Sequence, residues 1–167
     1  MKDIKTRKRI EEIKESFYTL NEWKYKDYCL LVADIANNVL PYFEKVYPKD
    51  NRPRKCVEGI RLFERGLISD KELNILKKAA ALAEELIEKH TDKDTYVYAN
   101  IATQAAQVAV LAADKTTAYE VAEAAAWTRW NVNAQSTSVK FAFIAWKESW
   151  EVYEDILKRF MDSIEDL

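Results

Sequence analysis

The sequence predicts an all-α fold, a single-domain bundle of about six to seven helices. Three observations carry this expectation. Only 2 Gly and 3 Pro occur in 167 residues, whereas β-rich domains need many tight turns built on Gly, Pro and Asn. Ala, Leu, Glu and Lys fill the long stretches between the few breaks, and these residues lose little entropy in a helix. Apolar residues recur along those stretches at three- and four-residue spacing. A chain of this length buries roughly 70% of the surface it exposes when unfolded, so it needs no disulfide or metal to fold. With 49% apolar and 32% charged residues the balance is globular rather than disordered. No linker, low-complexity tract or second core divides residues 1–167, and no fixed repeat returns.

The first helix is expected over about Asp3 to Leu20. Its stripe of Ile4, Ile10, Ile13, Phe17 and Leu20 is sparse, so residues 1–20 should be loosely packed with a frayed beginning. The second runs from near Trp23 towards Tyr47, with Leu31, Ile35, Val39, Tyr42, Phe43 and Val46 facing in. Pro41 inside this run removes a backbone donor and crowds the preceding turn, which predicts a kink or break at Leu40. Pro48 to Pro53 is the clearest loop. Pro53 then suits the first turn of a third helix, with Asp50 or Asn51 as its cap. Val57, Ile60, Leu62 and Phe63 supply the buried side, and Gly66 ends the helix with a left-handed cap.

Ser69-Asp70-Lys71-Glu72 is a capping box, in which hydroxyl and carboxylate satisfy each other's orphan amides. It opens a fourth helix reaching about His90, with Leu73, Leu76, Ala80, Ala83 and Ile87 inward. After a polar break at residues 91–95, a fifth helix spans about Tyr96 to Ala113. Its alanines (Ala102, Ala105, Ala106, Ala109 and Ala112 among them) let neighbours approach closely, so it should be central. Thr117-Ala118-Tyr119-Glu120 is a second capping box and begins a sixth helix to about Trp130. Asn131-Val132-Asn133 reads as an interruption before a last helix over about Gln135 to Ile164, whose stripe includes Phe143, Trp146, Trp150, Tyr153, Leu157 and Phe160.

A net charge of −2 sets up no global field towards nucleic acid or membrane. The charge is uneven, however: Lys2, Lys5, Arg7, Lys8 and Arg9 crowd the start, while acids prevail after Glu148. The simpler account is an opposed pair of solvated helix faces. No apolar run follows the N-terminal bases and none spans a bilayer. Cys29 and Cys56 share no motif spacing and read as buried free thiols. A reducing cytoplasm is the simplest compartment.

The usual site chemistries find little support. Di-metal bundles with histidine ligands need Glu-x-x-His on two helices. His90 is the one histidine and Ile87 precedes it by three, so that site is excluded and zinc sites lack ligands. At a helix C-terminus His90 complements the dipole. No sequence feature places Cys29 or Cys56 beside it as a dyad. Gly59 and Gly66 form no phosphate loop, and Glu84, Glu85 and Glu88 read as a solvated face. No catalytic, cofactor-binding or metal residue is therefore assigned. Trp127, Trp130, Trp146 and Trp150 gather in the late helices. Such stripes are usually core, and any exposed member is a candidate interface anchor.

One constellation is dense: Asp50, Arg52, Pro53 and Arg54, then Glu58 and Arg61, with Asp34 interrupting the preceding apolar run. Arg54, Glu58 and Arg61 share a helix face, and Asp34 is placed to meet one of the arginines. We read the group as a charge-paired clamp between the second and third helices, since planar guanidinium–carboxylate pairs fix geometry well. Anion or partner binding by the arginines is the alternative.

These residues resemble a family of bacterial immunity proteins of polymorphic toxin systems, the immunity-five-like helical proteins. The resemblance rests on Asp34-Ile-Ala-Asn-Asn-Val-Leu-Pro-Tyr-Phe-Glu44, Tyr47-Pro48, Asp50-Asn-Arg-Pro-Arg54, Glu58, Arg61, Phe63, Gly66 and Ile68-Ser69. It covers about Tyr28 to Glu72 well and Tyr98 to Ala113 more loosely. Relatives tend to carry histidines where this chain has Asn100 and Gln104, so any chemistry of those histidines is not expected here. The resemblance implies a helical, non-enzymatic, cytoplasmic protein that neutralises a cognate toxin by binding it, without cofactor, nucleic acid or membrane. Glu148, Glu151, Glu154 and Asp155 are a candidate partner surface, because complementary charge speeds association and adds specificity. Two other classes compete. A small-ligand or regulatory protein would show an aromatic cavity among the late Trp and Tyr residues. A carboxylate enzyme using Mg²⁺ would need acids converging from several helices.

Overall fold

The computed structural model describes residues 2–18, 25–90, 96–113, 118–134 and 139–165. Among them are seven helices and no strand: α1 (Lys2–Tyr18), α2 (Tyr25–Val46), α3 (Arg52–Glu64), α4 (Asp70–His90), α5 (Tyr96–Ala113), α6 (Ala118–Ala134) and α7 (Val139–Glu165). The chain is an all-α bundle. None of the described helices is long and apolar enough to cross a membrane.

Helix α5 sits at the centre, packed on α2, α3, α4 and α6. Its Ala102, Ala105, Ala106 and Ala109 are wholly buried, and absent side chains bring the backbones of its neighbours close. Cys56 shows how close: its thiol donates to the carbonyl of Ala109 at 3.5 Å, and burial pushes its pKa up to about 12. At the other end of the bundle α1 lies on α7. Ile10, Ile13 and Phe17 of α1 are buried, and Phe17 meets the ring of Trp150 edge-on at 6.1 Å. The expected loose packing of the first helix therefore stops at its first turns, where Ile4 is 71% exposed.

The helix ends follow local chemistry. The Ser69 amide donates to Glu72 Oε2 at 2.7 Å, and the Glu72 amide donates back to Ser69 Oγ at 3.2 Å. Those bonds hold the Glu72 carboxyl below its ordinary pKa, the backbone bond most of all. Gly66 has φ +71°, and the amides of Gly66 and Leu67 donate to the carbonyls of Phe63 and Leu62, which closes α3 with a Schellman motif. At its start, Asn51 makes no side-chain cap. Asp50 takes the first-turn amide instead, since Arg52 N donates to its Oδ1 at 3.1 Å. Thr117 of the second expected capping box lies outside the described residues.

Three expectations are corrected. Of the kink or break expected at Leu40, the break does not occur: α2 continues through Pro41 to Val46. Val39, Leu40 and Phe43 on both sides of the proline are fully buried, and that packing outweighs one lost backbone bond. Helix α6 likewise runs through Asn131-Val132-Asn133 to Ala134, with the Asn131 amide donating to Gln104 Oε1 at 2.8 Å. Leu62 is 37% exposed rather than buried, because the inward face of α3 is set by Cys56, Val57 and Ile60.

Candidate functional site

The polar residues of α2 and α3 meet along one face. Arg54 is the hub. Its Nε and Nη2 donate to the two oxygens of Glu44 at 2.7 and 2.9 Å, and its Nη1 donates to Asn37 Oδ1 at 2.7 Å. The bond to Glu44 holds the guanidinium above its already high pKa. Arg61 Nη2 donates to Asp34 Oδ1 at 2.7 Å. In the loop, Arg52 grips Asp50 through Nε and Nη2, the latter at 2.5 Å, and this bond draws the Asp50 carboxyl below its ordinary pKa. Pro53 is buried in the first turn of α3.

Asp34, expected to meet one of the arginines, meets Arg61, and Asp50, expected as a cap, is also held by Arg52. The sequence named no carboxylate for Arg54: Glu58, on the same helix, is exposed and contributes only its charge, and the carboxylate that Arg54 bonds is Glu44, at the far end of α2. Sequence reasoning also missed a second layer behind this face. Arg129 of α6 donates from Nη1 to Asn38 Oδ1 at 3.0 Å, and the Tyr153 hydroxyl reaches the same oxygen at 3.4 Å. Burial raises the Tyr153 pKa, so it remains a neutral phenol. Arg129 Nε is buried without a hydrogen-bond partner. A signal for this layer was present in the sequence, two adjacent asparagines in an otherwise apolar helix, but nothing pointed to Arg129.

Between α2 and α7 lies an open cavity of about 420 Å³. Asp34, Asn37 and Asn38 form one wall; Ile156, Arg159, Phe160 and Ser163 form the other. It stands directly beside the arginine–carboxylate pairs. The four tryptophans are elsewhere. Trp127 contacts Trp130 and Trp146 with ring centroids 5.0 Å apart in each case, and Trp146 meets Trp150 at 5.9 Å. The four rings pack on one another in a continuous chain of contacts. Trp150 is wholly buried, while Trp127 is 47% exposed.

The acidic residues of α7 are largely engaged with bases. Glu154 is only 12% exposed at its side chain and accepts from Arg9 at 2.6 Å and Lys158 at 3.2 Å. Glu151 pairs with Lys147 at 2.8 Å and Asp155 with Arg159 at 2.5 Å. Glu148 is exposed. The uneven termini thus meet in part, through Arg9 and Glu154. Asn100 is exposed, and Gln104 is half-buried against Asn131. Cys29 and Cys56 are buried, as expected. The side chain of His90 lies outside the described residues.

A family model described as Imm-5 like putative immunity protein matches residues 19–138. The match takes in α2 to α6, hence the arginine–carboxylate pairs, Asn38, Arg129 and Trp127, but not Tyr153 of α7. No curated protein and no solved structure matches the chain.

Proposed function

Because the chain belongs to the Imm-5 like family of putative immunity proteins, we propose that it neutralises a cognate bacterial toxin in the cytoplasm by binding it directly, without catalysis. The family match is the observation that carries this reading. Inhibition is by occlusion: one copy covers the toxin's working surface for as long as the complex lasts. The arginine–carboxylate pairs of α2 and α3 act as a clamp that holds the fold, and contact is made elsewhere.

Trp127 supports the choice of contact residue. Half of a large amphipathic ring stands in solvent, yet Trp130 and Trp146 brace it from two sides. A ring already fixed loses little entropy on binding, which is why tryptophan dominates many interface cores. Glu148, with Glu151 and Asp155 beside it, supplies the acidic rim that steers a basic toxin. Glu154 contributes to the rim only through its ion pairs, since its carboxylate is turned inward to Arg9.

Co-expression with the toxin encoded beside it is the direct test. The protein is expected to restore growth and to co-purify with the toxin at one to one. Trp127→Ala is expected to weaken the complex about 30-fold or more, corresponding to roughly 2 kcal/mol, the threshold of a hot spot, while the melting temperature stays close to that of the parent. A toxin that kills equally with and without the protein defeats the proposal.

A further inference from the structure

We propose that the cavity between α2 and α7 is a receptor for a single carboxylate side chain, an Asp or Glu presented by the protein partner. The inference rests on the toxin-binding reading for the source of the carboxylate, and on the cavity alone for its chemistry.

Charge is the first argument. Three guanidinium groups around this face have carboxylates of their own: Arg54 has Glu44, Arg61 has Asp34 and Arg159 has Asp155. Arg129 has none among the described residues. Its bond is to the neutral oxygen of Asn38, and its Nε is buried with no acceptor at all. Tyr153, whose hydroxyl shares the Asn38 oxygen with it, is held neutral by burial. A half-buried cation with a neutral partner costs free energy that folding does not recover, and such unsatisfied groups call for an explanation. A guanidinium without a carboxylate of its own therefore stands behind Asn38, one layer back from the cavity wall.

Donor geometry is the second. Arg54 and Arg129 can only donate, so the atoms they meet on Asn37 and Asn38 must be the carboxamide oxygens. That fixes the orientation of both amides. Both asparagines line the cavity, and neither Nδ2 group has a protein acceptor among the described residues, which leaves two donors of neighbouring residues for a ligand. A carboxylate has two oxygens to receive such a pair.

The surroundings select the kind of anion. Asp34 lines the cavity and Asp155 is paired with Arg159 of the opposite wall, so a dianion such as a phosphoryl group meets like charge, whereas a monoanion suits a single guanidinium one layer behind. Ile156 and Phe160 on the opposite wall offer apolar cover for side-chain methylenes. The cavity is open to solvent and large enough for a side chain together with part of its backbone.

The experiment uses the full chain labelled with ¹⁵N, titrated with N-acetyl-L-glutamate N-methylamide while the side-chain amide signals of Asn37 and Asn38 are followed. Saturable shifts of both signals are expected. N-acetyl-L-glutamine N-methylamide, which has the same shape without the charge, should bind at least about tenfold more weakly. Arg129→Met should remove most of that preference. No saturable shift, or equal affinity for the two probes, overturns the proposal, and the wild-type comparison decides even if the variant does not fold. The source is tested separately. Arg129→Met should weaken the toxin complex about tenfold or more; an unchanged complex overturns the assignment of the carboxylate to the toxin. A protein that binds no toxin at all overturns the functional reading, while the probe titration still decides the cavity.

Discussion

Arg54 and Arg61 stand seven residues apart on α3, yet their bonds are unequal. Arg54 spends three nitrogens on two partners, with a planar two-bond grip on Glu44. Arg61 makes one bond to an Asp34 whose side chain is nearly half exposed. A charge-assisted hydrogen bond contributes about 1.5–3 kcal/mol when shielded, and an exposed ion pair contributes about 0–1. The Arg54 and Glu44 side chains are each about a third exposed, so solvent screening reduces the upper figure. Arg54→Ala is therefore expected to cost about 1–2 kcal/mol and Asp34→Ala about 0.5 kcal/mol or less, read as melting-temperature losses in that order. Equal losses would mean that Asp34 is held by more than Arg61. The sequence made the second pair visible, because Asp34 broke an apolar run and so needed a cation. It could not show Glu44, which is 10 residues before Arg54 and on another helix, because helical spacing reveals only neighbours three or four residues away. The true partner depends on how the 47–51 loop returns α3 along α2, which no spacing rule encodes. Arg129 and Asn38, 91 residues apart, are hidden for the same reason.

Helices were legible wherever one face alone is apolar. The boundaries of α3 and α4 follow directly from Pro53, Gly66 and the Ser69–Glu72 box, because those signals act through bonds within a few residues. Legibility failed where packing decides. Pro41 breaks an isolated helix, but α2 is held through it by Leu40 and Phe43. Helix α6 is apolar on nearly every side, so its pattern gives no hint that Trp127 faces out while Val121, Ala122, Ala125 and Ala126 face in. Helix α5 is the opposite case, since its alanines announced a crowded centre. That crowding gives a prediction within a single turn. Ala106 is fully buried and Gln107, its neighbour, is exposed. Ala106→Leu inserts three carbons where backbones already touch and is expected to cost at least about 2 kcal/mol through overpacking. Gln107→Leu introduces the same side chain with similar helix propensity into solvent and should change stability by less than about 0.5 kcal/mol. Urea titrations of the two variants make the comparison, and similar costs would contradict the central placement of α5.

At the scale of the whole molecule, the question is whether the helices at the two ends of the bundle depend on each other. The family match ends at residue 138 and begins at residue 19, so α1 and α7 lie outside it and one could imagine a core of five helices with two added ones. The packing argues otherwise. Ile10, Ile13 and Phe17 of α1, Leu73 of α4 and Trp150, Tyr153 and Leu157 of α7 belong to one continuous buried cluster with α2, α3, α5 and α6. Removing α1 and α7 would expose that set, and each such side chain contributes about 1.5–3 kcal/mol by burial. The Arg9–Glu154 pair adds little beside this, because Arg9 is 38% exposed at its side chain. We therefore expect residues 1–167 to unfold as one cooperative domain. Tryptophan emission reports mainly on α6 and α7, where four of the five indoles lie. Far-UV circular dichroism reports on all the helices together. In urea the two signals should give the same midpoint and the same slope, since coincident transitions mark two-state behaviour. A tryptophan transition preceding the loss of helix would show α1 and α7 peeling away from a separately stable α2–α6 unit, and the chain would then be two folding units rather than one.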